Sequence, residues 1–159
     1  MDGAVIGYRE WVLIGDELLS PLARTPWEPG QVLAECLDTC RAARGLWRAA
    51  AGPHDGPAPD PACVCGIYAL FAPPRSRARE RLAVVRGAVA LSGRIELHRR
   101  GMRAECARIV TLALPTARRH RDAVARVAAR LGVEAVPARE LAVAARVHGE
   151  PLERTLVPT

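Results

Sequence analysis

The chain has 159 residues, half of them hydrophobic, which is enough apolar material for one domain with its own core. Its formal charge is +6, and all 23 basic residues are arginine. The hydrophobic fraction argues against a disordered chain. Net charge speaks to association and not to fold, so the basic charge leaves a polyanionic partner open.

The first half of the chain predicts a hairpin, a helix, a loop and a strand. Residues 5–22 alternate in polarity around a Gly-Asp turn, which is typical of a β-hairpin. Apolar residues at helical spacing predict an amphipathic helix over 31–50. Residues 52–62 are rich in proline and glycine and predict a loop, and residues 65–71 predict a short strand.

The second half predicts a long hairpin followed by two helices. Residues 83–114 have β-favouring composition on both sides of an Arg-Arg-Gly turn, and Gly87 and Gly93 suggest bulges in the first strand. A helical pair is predicted over residues 116–148, divided by a short strand or link at 133–136.

Together these elements predict an α+β fold in a single domain over residues 1–159. We expect a curved, mostly antiparallel sheet or a small barrel, for which a PUA-like fold is one candidate. One helix precedes the short strand in the N-terminal half, and two helices follow the long hairpin.

Soft metal ligands gather at one place in the sequence, after the proline-rich loop. Thiolate and imidazole are the ligands that zinc selects, so the pattern predicts a structural zinc site. The Cys-x-Cys spacing also suits two buried apolar residues of a strand. The alternative for Cys36 and Cys40, which lie one helical turn apart on an apolar face, is simple core packing. The fourth ligand is one of two histidines, and the candidates are Cys36, Cys63, Cys65, His54 and His98.

Basic residues crowd the turn of the long hairpin. A polar face flanked by several arginines predicts binding of nucleic acid or another anion. The other interpretation is an ordinary solvent face with cross-strand Glu–Arg pairs. The candidate anion-binding residues are Arg94, Arg99, Arg100 and Arg103.

Two further functions stay open at this point. Residues 118–146 resemble a helix-turn-helix, although the link between the helices is longer and more β-like than the usual turn. A metal- or thiol-dependent enzyme would use His98 as its base. No paired carboxylates, phosphate-binding glycine loop or His-Glu-x2-His motif supports catalysis, so a non-catalytic binding or regulatory module is the preferred prediction.

Three blocks, at residues 7–11, 59–69 and 87–104, carry a resemblance that extends over most of the chain. They are Gly-Tyr-Arg-Glu-Trp, Pro-x3-Cys-x-Cys-Gly-Ile-Tyr-Ala and Gly-x-Val-x-Leu-x-Gly-Arg-Ile-x2-His-x2-Gly-x-Arg-Ala. The pattern resembles one shared by small bacterial and phage proteins with no assigned activity. Trp27 and Cys36 belong to the same pattern. The resemblance implies that Cys36, Cys63, Cys65 and His98 belong together, and it favours Cys36 over Cys40, which we assign to the core.

The first residues lack the basic region and the apolar region typical of a secretory leader, so we expect none. No apolar run approaches the roughly 20 residues needed to cross a bilayer. We therefore expect a cytoplasmic protein without a membrane partner, in which thiols stay reduced. Five cysteines cannot all pair within one chain, which favours thiols or metal ligation over a disulfide framework.

Overall fold

We describe the protein from a computed structural model, which covers residues 4–21, 24–36, 54, 56–75 and 83–158. The strands in these ranges are β1 (Val5–Ile14), β2 (Glu17–Leu19), β3 (Gln31–Leu33), β4 (Ile67–Leu70), β5 (Val84–His98), β6 (Gly101–Leu114), β7 (Glu134–Pro137) and β8 (Glu150–Pro151). The α-helices are α1 (Arg118–Leu131) and α2 (Leu141–Ala145). Short 3-10 turns occupy Ala138–Glu140, Arg146–His148 and Arg154–Leu156.

The long strand β6 is the centre of the sheet. Strand β5 pairs with it along one edge, and β4, β3 and β7 pair in succession along the other. Strand β1 pairs with β2, β5 and β8, and with β4 through the single pair Tyr8–Leu70. All of these pairings are antiparallel except those of β7 and β8. The mostly antiparallel α+β sheet is thus confirmed, whereas a PUA-like fold stays a prediction.

Both predicted hairpins are present, and the longer one carries the predicted irregularities. The pairing of β5 with β6 shifts register after Ala88 and again after Ser92, next to Gly87 and Gly93. A Cβ atom at Gly87 would lie 2.6 Å from the carbonyl oxygen of Thr111, so the close approach of the two strands requires glycine there.

The main hydrophobic core lies between the sheet and α1. This helix turns one apolar face inward because its small and branched side chains recur at helical spacing, and Gly132 ends it in the left-handed conformation, with φ of 68°. The second core cluster packs α2 onto the other face of the same strands, through Leu141 and Ala145. The buried residues of α1 are Val124, Val127, Ala128 and Leu131.

Two predicted helices differ from the structure. The helix predicted over residues 31–50 is wrong at its start, because Gln31–Leu33 forms β3 and pairs with the edge of β6. Residues 37–50 lie outside the described residues. The final helix is short, since only Leu141–Ala145 is α-helical and 3-10 turns flank it on both sides.

The helix-turn-helix alternative is not supported. The segment between the two C-terminal helices is strand β7, which pairs in parallel with Thr111–Leu114 at the end of β6. Helix α1 therefore serves as the crossover between two neighbouring parallel strands, and no tight turn joins it to α2. Within the described ranges, no helix combines the length and apolar character that crossing a bilayer demands.

Candidate metal centre

The two neighbouring cysteines lie on a tight loop just before β4. Asp60 shapes this loop, because its carboxylate accepts a hydrogen bond from the amide of Ala62 at 2.8 Å and its carbonyl accepts one from the amide of Cys63 at 3.0 Å. The hydroxyl of Tyr68 on β4 donates to the carbonyl of Val64 at 2.7 Å. These contacts fix the backbone on both sides of Cys63, so its side chain direction is set before any metal binds.

Gly66 lets the loop leave the site and enter β4. Its φ is +119°, a conformation that L side chains rarely adopt. A Cβ atom there would also lie 3.1 Å from the Cβ atoms of both Arg103 and Pro59. The glycine that follows Cys65 therefore permits the loop to pass close against β6.

Four ligand side chains meet at this loop. One ligand atom from each of Cys36, His54, Cys63 and Cys65 can be chosen so that all four lie within 4.8 Å of one another. The Sγ atoms of Cys36 and Cys63 are 3.7 Å apart, and His54 Nε2 lies 3.2 Å from the Sγ of Cys65. Cys63 and Cys65 are buried, while Cys36 and His54 are half-buried, so the group sits at the edge of the protein interior.

These separations fit a tetrahedral ion. Zinc–sulfur bonds of about 2.3 Å and zinc–nitrogen bonds of about 2.0–2.1 Å place tetrahedral sulfurs about 3.8 Å apart and sulfur and nitrogen about 3.6 Å apart. The distances of 3.7 Å and 3.2 Å are close to these values. The upper limit of 4.8 Å leaves about 1 Å to close, which small side-chain rotations provide.

Burial at the site favours the neutral form of the Cys65 thiol when no metal is bound. Burial raises the pKa of the Cys65 thiol to about 11, against a weaker opposing effect of the hydrogen bond with the Asp60 backbone and with further increases from Cys63 and Cys36. The Nδ1 atom of His54 is buried and has no hydrogen-bond partner among the described residues. A metal ion would displace the thiol protons and balance the charge of the thiolates that bind it.

Of the two candidate histidines, the structure places His54 in the ligand group and His98 outside it. His98 ends β5 and is not a member of the four-residue group. Its Nε2 atom instead accepts a hydrogen bond from Nε of Arg103 at 3.0 Å. The predicted ligand His98 is thus corrected, because the polar face of β5 turns it to Arg103. Cys40, which was assigned to the core, lies outside the described residues.

The prediction that Arg103 binds an external anion is wrong. Arg103 is only 3% exposed, and it forms the cross-strand pair with Glu96 that the alternative interpretation of this hairpin expected. Arg99 and Arg100 in the turn and Arg94 on β5 are exposed. Arg103 therefore faces the cysteine loop and is unavailable to an external anion.

Sequence reasoning placed Arg103 on the wrong side of its strand. The residue lies between Met102 and Ala104, both of which are buried, so that four consecutive residues at the start of β6 are inaccessible. A strand buried on both faces loses the alternation on which the prediction rested. The run of small and apolar residues around Arg103 was the available signal.

Fold and site together define a small α+β domain with a Cys3His group that could hold a metal ion. Comparison with protein-family models, with curated proteins and with solved structures found no match to this chain.

Proposed function

We propose that the protein is a non-catalytic binding or regulatory module stabilised by a structural zinc ion. Cys36, His54, Cys63 and Cys65 would hold the ion. The observation that carries this proposal is the convergence of their four ligand atoms within 4.8 Å, from three separate stretches of residues 36–65. Such convergence of three thiols and one imidazole matches the Cys3His ligand set of structural zinc sites.

A closed ligand set supports a structural role. Catalytic zinc keeps one coordination position for water or substrate, whereas four protein ligands fill a tetrahedron. The two buried ligands, Cys63 and Cys65, also pack with Ala58 in an apolar cluster, which leaves little room for a substrate at the metal.

Two observations oppose the thiol-dependent or metal-dependent enzyme. A pKa of about 11 keeps the metal-free Cys65 thiol protonated near neutral pH, and the protonated thiol is a poor nucleophile. His98, the proposed base, accepts a hydrogen bond from Arg103 and lies outside the ligand group. Neither group is arranged to start a reaction.

The partner that we propose for the module is nucleic acid or another polyanion. The exposed Arg94, Arg99 and Arg100 near the turn of the long hairpin support this choice. Binding through phosphate contacts would weaken as salt rises. Replacing Arg99 and Arg100 by glutamine should then reduce both the affinity for an oligonucleotide and its salt dependence.

Elemental analysis of protein purified without a polyhistidine tag tests the zinc proposal. We expect close to one zinc ion per chain, lost in Cys63→Ser and kept in Cys106→Ser, because Cys106 is a buried cysteine outside the ligand group. Less than about a tenth of an ion per wild-type chain, with Cys63→Ser folding normally, would contradict it.

A further inference from the structure

Arg103 is the side chain that joins the cysteine loop to the sheet. It sits near the start of β6, opposite Glu96 of β5. Its Nη1 atom donates to the carbonyl oxygen of Cys63, and also to that of Cys65 at 2.9 Å. One guanidinium nitrogen thus holds the backbone of both neighbouring cysteines.

The other two nitrogens of the guanidinium also have hydrogen-bond partners. Its Nη2 atom donates to the carboxylate of Glu96 and reaches the carbonyl of Asp60 at 3.5 Å, while Nε donates to His98 Nε2 at 3.0 Å. The ring of Tyr68 lies 5.9 Å from the guanidinium carbon. All three guanidinium nitrogens are therefore engaged, and the group has little freedom to turn.

Only arginine can make this set of contacts. Its planar guanidinium carries five donors in a fixed fork, whereas lysine carries one nitrogen with three donors. The carboxylate of Glu96 already balances the charge of Arg103, so the contribution of Arg103 to the site is geometric more than electrostatic. The guanidinium therefore fixes the distance between the cysteine loop and the sheet.

We propose that Arg103 is the positioning residue of the metal site. Its fork holds Cys63 and Cys65 so that both sulfurs face Cys36 and His54. This inference rests on the proposed zinc site and adds a residue that binds no metal itself. Partners of this kind, which orient the ligands from outside, typically contribute 10- to 100-fold in metal affinity, roughly the effect we expect here.

The test compares Arg103→Lys with Arg108→Lys. Arg108 lies on the same strand and is exposed, so its replacement is the matched control. Zinc affinity is measured by competition with a chromogenic chelator, and the ligand geometry is followed through the thiolate-to-cobalt absorption of the Co²⁺-loaded protein. We expect Arg103→Lys to lose roughly 10- to 100-fold in zinc affinity with altered cobalt bands, and Arg108→Lys to match wild type.

The lysine variant separates geometry from charge. Lysine retains the positive charge beside Glu96, so a zinc affinity within about twofold of wild type and an unchanged cobalt spectrum would overturn the proposal. If Arg103→Lys fails to fold without metal, Glu96→Gln replaces it. That variant keeps the side-chain size but loosens the guanidinium, and it should lower zinc affinity in the same direction; unchanged affinity would overturn the proposal equally. If the wild-type protein binds no zinc, the proposed function itself is wrong. If every variant binds zinc as tightly as wild type, the proposed zinc site stands and only the role of Arg103 is wrong.

Discussion

Replacement of Cys63 by serine is the most informative single change. Cys63 is 4% exposed, and its Sγ lies 3.7 Å from that of Cys36, so the substitution removes one of four ligands from a buried site. The cysteine cluster is separate from the two larger core clusters, which form between the sheet and the helices. The variant should therefore fold and lose only the stabilisation that zinc supplies.

The size of that loss follows from mass action. A ligand present at about 1000 times its Kd stabilises the folded state by about 4 kcal/mol. For a domain of this size about 1 kcal/mol corresponds to roughly 2–4 °C, so the midpoint of thermal unfolding should fall by about 8–16 °C.

Differential scanning calorimetry with added zinc or with chelator measures the effect. Wild type should lose the full stabilisation when chelator is added, and Cys63→Ser should unfold at the same temperature in both conditions. Cys106→Ser is the matched control, since it also places a hydroxyl at a buried cysteine but should retain the response to zinc. A zinc response of wild-type size in Cys63→Ser would refute the assignment of Cys63 as a ligand.

Further predictions concern pH and the glycine of the loop. Protons compete with zinc for three thiolates, so lowering the pH from about 8 to about 7 should weaken zinc binding by roughly 100- to 1000-fold in a chelator competition; a change below about tenfold would contradict a three-thiolate site. The folded-state pKa of Cys65 is raised from 9.0 to about 11, so its contribution to the stability of the metal-free protein is complete below pH 9.0 and lost as pH rises through about 11. Urea unfolding should show this fall with chelator present and not with zinc bound, and a flat profile without metal would count against the burial of the thiol. Gly66→Ala should cost about 1–3 kcal/mol and weaken zinc binding, because φ is +119° and Arg103 lies too close. Gly132→Ala shares the left-handed backbone but meets open space, so equal zinc affinities in the two variants would refute the role of Gly66.

The long hairpin could be predicted because its information is local. Strands β5 and β6 have β-favouring residues on both sides of a short turn, and Gly87 and Gly93 mark the places where the register shifts. The segment that became β3 was harder, since Val32, Leu33 and Cys36 fit helical spacing as well as a strand. Its secondary structure is decided by backbone hydrogen bonds with Cys106–Arg108, which lie more than 70 positions away in the sequence.

The candidate metal ligands could be predicted by residue type, but the sequence did not identify all of them. The position of Cys63 and Cys65 after the proline-rich loop predicts these two, and the resemblance favours Cys36, whereas spacing does not decide between His54 and His98. That choice depends on where the proline-rich loop and the end of β5 lie in the folded chain. The buried position of Arg103 was missed for a related reason: a charged residue in a strand usually faces water, and only its tertiary partners keep this one inside.

X-ray absorption spectroscopy at the zinc edge tests the central claim most directly. Three sulfurs at about 2.3 Å and one nitrogen at about 2.0–2.1 Å are the expected first coordination shell if Cys36, His54, Cys63 and Cys65 hold the ion. A shell with two or fewer sulfurs and added oxygen would mean that the site is open to water, and would contradict a closed structural centre.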